Sequence, residues 1–89
     1  MRVILGGERW TRRLVNRLRA GGELLDGDCD YDAKTIRLRR GQTDREELES
    51  DLHESLHAQF PWLREWLVDR SARELTVLLF DRLGYRKIP

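Results

Sequence analysis

An α+β fold is predicted by three features of this chain. Thr35-Ile36-Arg37-Leu38-Arg39 alternates apolar and polar side chains as a strand does, and Thr43-Asp44-Arg45-Glu46 has the form of a helix-starting capping box. From Glu8 to about Ala20 the apolar residues Trp10, Leu14, Val15 and Leu18 recur at helical spacing. At 89 residues the chain is read as a single domain, 1–89, with a modest core.

The elements follow in order. Arg2 to Leu5 is a short β-rich run stopped by Gly6-Gly7, a first strand. The Glu8–Ala20 pattern is an N-terminal amphipathic helix ended by Gly21-Gly22, whose polar face carries Arg9, Arg12, Arg13, Arg17 and Arg19. Asp and Gly clusters around Cys29–Tyr31, followed by the alternating Thr35–Arg39, suggest a hairpin, for a small sheet of two to three strands in all. In that last segment Ile36 and Leu38 face one side, Arg37 and Arg39 the other.

A helix starts at the capping box, where the Thr43 hydroxyl and the Glu46 carboxylate satisfy free amides of the first turn. Leu48, Leu52, Leu56 and Gln59/Phe60 mark its core stripe, and Pro61 stops it. The last helix is expected from about Trp62 to Leu83, apolar on several sides, largely buried, and ended by Gly84.

Charged residues make up 37% of the chain and apolar runs are only a few residues long, which argues against a membrane span. MRVILGGERW is too short in its apolar part for a signal peptide, so the reading is cytoplasmic. The single cysteine, Cys29, cannot form an internal disulfide and reads as a small buried residue. Residues 1 to 41 carry ten Lys/Arg against six Asp/Glu, whereas residues 42 to 89 carry seven against ten. The acidic half holds both histidines, as expected of a cation site and equally of a solvated helix surface.

Those histidines form His53-Glu54-Ser55-Leu56-His57, an HExxH pattern on an expected helix. Residues four apart share one helical face about one 5.4 Å turn from each other, so two imidazoles can converge on one Zn2+ at about 2.0 to 2.1 Å. Zinc would bring the pKa of a water ligand toward ~7 and polarise a carbonyl, and Glu54 would take the proton and pass it to a leaving amine. This is peptide hydrolysis in outline.

A catalytic zinc takes three protein ligands, and the chain has no third histidine. On a wheel of the last helix Glu65, Asp69, Ala72, Thr76 and Leu83 fall within about 60° of one another. Asp69 ranks first as third ligand and Glu65 second, with a surface pair between Asp69 and Arg73 as the competing reading of Asp69. Glu74 and Asp81 lie opposite, and Arg70 to Glu74 has the spacing of a surface ion pair. Trp62 and Trp66, four apart near the expected cleft, read as packing residues.

Together "GDCD", "TIRLRRG", "LHESLHAQF" and the "WLVDRSARELTVLLFDRLGYR" tail resemble the small, single-domain gluzincin-type metallopeptidases, minimal forms found in phages and bacteria, and more distantly the metallopeptidases of phage-immunity systems. The similarity covers residues 27 to 85. It implies a zincin-like minimal domain with zinc held by His53, His57 and one acid, and with Glu54 as general base. In such proteins the third ligand is commonly a Glu about twelve residues past the second histidine, with Ala three residues later; here those positions are Asp69 and Ala72. The resemblance also implies that "TIRLRRG" is an edge strand binding an extended peptide or protein substrate, with Arg37 and Arg39 favouring acidic ones or simply deterring aggregation. Some minimal gluzincins are held latent by a C-terminal segment in the cleft, for which "GYRKIP" is short.

Two other readings remain at this level. One is a nucleic-acid or protein-binding module using the five arginines of the N-terminal helix. The other is a degenerate zincin that binds metal without catalysis, for which the Asp at position 69 is the relevant feature.

Overall fold

The computed structural model describes residues 1–88. Its strands are β1 (Arg2–Leu5), β2 (Glu8–Val15), β3 (Arg19–Ala20), β4 (Glu23–Leu24), β5 (Gly27–Asp30) and β6 (Thr35–Arg39). Two helices follow, α1 (Asp44–Gln59) and α2 (Glu65–Thr76), the second continuing as a π-wound segment, Val77–Arg82. The result is an α+β fold with a four-stranded mixed sheet in the order β1-β2-β6-β5. Pairing is antiparallel for β1–β2 and β5–β6, parallel for β2–β6.

The N-terminal helix is not there. Its sequence forms β2 and the start of the β3–β4 hairpin instead. Positions 10, 14 and 18 are four apart, a spacing that fits a helical turn and equally a period of two. Gly6 and Gly7, at φ 59° and 78°, close a tight turn that returns β2 along β1, pairing Val3 with Trp10. Gly21-Gly22 makes a second such turn rather than a helix end. Arg12, with Trp10 and Leu14, therefore points toward α1. There it donates from Nε and Nη2 to Asp51 at 2.7 and 2.8 Å and from Nη2 to Glu47 at 3.2 Å. The five arginines never share a helical face, and the basis for that docking surface goes with it.

The capping box forms as expected. Glu46 N donates to Thr43 Oγ1 at 3.2 Å and Thr43 N to Glu46 Oε1 at 2.9 Å, and these bonds hold the Glu46 carboxyl below its usual range. Pro61 follows the Phe60 C-cap. The buried residues of α1 are Glu47, Glu54 and Ala58, while Leu48, Leu52 and Leu56 are only half-buried. The core between sheet and helix is Trp10, Ile36, Leu38 and Ala58, with Val3, Leu5, Leu14 and Cys29 against it.

On the other side of α1 lies α2, which begins three residues later than expected because a turn, Leu63 N to Phe60 O at 3.0 Å, precedes it. Val68, Ala72 and Thr76 are its buried stripe. The helix is not largely buried: Trp66 is 59% exposed, and Trp62, in the turn before it, 75%, so they are not packing residues. Thr76 donates to Ala72 O at 2.7 Å just before the winding widens. The described part of the tail returns to the start of α1, with Lys87 Nζ 3.2 Å from Glu47 and a cavity of about 420 Å³ beneath Tyr85 and Lys87. This is away from the histidines, and Pro89 lies outside the described residues. No helix of the described residues is long and apolar enough to cross a membrane.

Candidate metal centre

α1 is a regular helix through the motif, so His53 and His57 present their rings one above the other, with centroids 4.9 Å apart. Their Nε2 atoms are 3.2 Å apart. Glu65, at the first turn of α2, closes the triangle, with Oε1 2.8 Å from His53 Nε2 and Oε2 2.8 Å from His57 Nε2. Asp69, one turn on, approaches the other side of the first ring, its Oδ1 3.2 Å from His53 Nδ1. The Arg73 pairing considered for Asp69 is absent among the described residues, whereas Arg70–Glu74 pairs at 3.6 Å as its spacing suggests. Asp81 pairs with Arg45, at 2.8 Å.

The donor set fits a metal ion. Two ligands about 2.0 to 2.1 Å from a tetrahedral zinc lie about 3.3 Å from each other, close to the separation of the two Nε2 atoms. A proton on Nδ1, shared with Asp69, would leave the His53 lone pair on Nε2, facing the carboxylate of Glu65. Such convergence is stable only around a proton or a cation. His53, His57 and Glu65 could thus hold a metal, and Asp69 stands where it would orient a ligand.

Glu54 is 7% exposed and opens onto the same cavity, of about 320 Å³. Burial pushes its carboxyl up from 4.5 to about 7, with the negative charges of Glu65, Asp28 and Asp69 adding to the effect. The opposite wall is β5, through Gly27, Asp28 and Cys29, with Tyr31 just beyond. Tyr31 donates to the carbonyl of His57 at 3.1 Å, satisfying one of the free carbonyls at the end of α1. Burial and the nearby Glu54 push the half-buried Cys29 thiol up to about 11, so it stays protonated.

The edge strand at the site is β5. The Thr35–Arg39 strand expected there is interior, between β2 and β5. Arg37 Nε donates to Asp28 at 2.9 Å and Arg39 Nη2 to Asp26 at 2.7 Å, so neither arginine offers a free charge to a ligand. Because Arg39 N bonds Asp26 O, the pairs 26/39, 28/37 and 30/35 exchange the ladder bonds. The backbone groups of Gly27 and Cys29 are left directed to the open edge. Sequence reasoning passed over Gly27 and Tyr31; the available signal was a small residue in an otherwise acidic strand, facing the motif only through the fold. No protein-family model, curated protein or solved structure matched the chain when it was compared with each.

Proposed function

We propose that this chain is a zinc-dependent metallopeptidase of the minimal gluzincin type, a zincin-like domain that hydrolyses peptide bonds. The observation that carries the reading is the convergence of His53 Nε2, His57 Nε2 and the Glu65 carboxylate, with Glu54 on the same cavity. In this reading Glu65 is the third ligand, ahead of Asp69, because it alone of the two reaches both Nε2 atoms. Asp69 holds His53 in the tautomer that ligates.

His53, His57 and Glu65 would hold the zinc, which when bound would supply Lewis acidity toward a water molecule and the scissile carbonyl. Glu54 accepts the proton of the attacking water and delivers it to the amine as the C–N bond breaks, so no proton is lost from the balance. The free backbone groups of Gly27 and Cys29 bind an extended peptide or protein segment alongside β5 by strand addition. The open edge of the sheet and its closeness to α1 support that mode.

Metal analysis of purified protein tests the site: close to one zinc per chain is expected, and a marked loss in His53→Ala. Equal, negligible zinc in both proteins would remove the enzymatic reading. Zinc-loaded Glu54→Gln should retain metal and lose peptide cleavage. Zinc retention by a wild type that cleaves no peptide would favour the non-catalytic zincin.

A further inference from the structure

Gly27 differs from the other glycines. Gly6, Gly7, Gly21, Gly22, Gly41 and Gly84 all have positive φ, so their turns call for glycine; Gly27 does not. What Gly27 lacks is space. A Cβ there would lie 3.1 Å from Glu54 Cγ, 3.1 Å from Leu38 Cδ2 and 3.2 Å from the carbonyl oxygen of Arg37. Carbon atoms pack at about 3.5 to 4.0 Å, so something would have to move. The Arg37 carbonyl belongs to β6, fixed between two neighbouring strands, and Leu38 is fully buried. Glu54, which borders the open cavity, is the group free to yield.

We infer that Gly27 is a positioning residue for Glu54: its missing side chain lets α1 approach β5 closely enough for the strand backbone to form one wall of the carboxylate's seat. The inference rests on the reading of Glu54 as general base. The contact itself does not, and this separates their tests.

Gly27→Ala is made in three backgrounds and unfolded in urea without metal. It should lower the midpoint equally in wild type and in Glu54→Gln, which keeps Cγ, and clearly less in Glu54→Ala, which has none. The contacts with Leu38 and Arg37 are common to all three, so the difference isolates Glu54. Zinc-loaded Gly27→Ala should retain its metal while kcat falls about tenfold or more, as a displaced base predicts. An equal midpoint change in all three backgrounds, or an unchanged kcat, overturns the positioning role and leaves the zinc reading standing. Absence of hydrolysis by zinc-loaded wild type overturns the catalytic reading and this proposal together, even where the midpoints show the coupling.

Discussion

His53 turns one ring nitrogen to Asp69 and the other to Glu65, and in the proposed centre the two carboxylates would have different roles. Loss of a ligand should remove the metal; loss of an orienting partner should weaken it by about 10–100-fold. Zinc titration of Glu65→Gln and Asp69→Asn is therefore expected to show negligible binding in the first and a weakened site in the second, and the reverse order would make Asp69 the ligand. Glu54 titrates against its own burial. Its folded pKa, about 7, lies above the 4.5 of an exposed glutamate, so the folded state holds that proton more tightly. The resulting stabilisation is full below about pH 4.5 and is lost as pH rises through 7. In chelator-treated protein Glu54→Gln should remove this slope and gain on wild type by on the order of 3 kcal/mol at pH 8. Urea unfolding at several pH values measures it.

At the scale of elements, α1 is held by polar contacts on the face where an apolar stripe would be usual. Residues 47, 51, 54 and 58 lie along one side, and the first two share the guanidinium of Arg12. Asp51 raises the pKa of Arg12, so β2 presents a permanent charge to the helix. Arg12→Ala leaves Glu47 and Asp51 without that partner in a largely enclosed place, and a loss on the order of 3 kcal/mol is expected in equilibrium unfolding. Thr43→Ala, at the capping box, should cost about 1 kcal/mol with the site geometry preserved. A comparable loss in both variants would show that the ion network contributes no more than an exposed pair does.

Across the whole molecule the layers run sheet, α1, α2, and the candidate centre joins all three. The histidines come from α1, Glu65 from α2, and the far wall from β5. Zinc would thus cross-link elements that apolar contacts alone hold weakly, since the core beneath the helices is small. The thermal midpoint of wild type should rise with free zinc, by about 2.7 kcal/mol of stability at a hundredfold excess over Kd, and that of His53→Ala should not. Calorimetry with and without chelator reads the difference; a midpoint indifferent to zinc would mean that the layers are not joined by a metal.

The HExxH pattern, its helix, the cap and the strands at 2–5 and 35–39 were legible in the chain because each depends on neighbours within a few residues. A four-residue spacing puts two imidazoles on one face wherever the helix lies, and a capping box closes on itself. Tertiary structure decided the rest. Trp10, Leu14 and Leu18 suit either periodicity, and only pairing with β1 and β6 made residues 8–15 a strand, with Leu18 in the connection that follows. Glu65 and Asp69 share a stripe on α2, so which of them reaches both imidazoles depends on where that helix begins and how it crosses α1. The edge beside the site likewise became β5 through the order of strands, a relation between distant residues that no local pattern encodes.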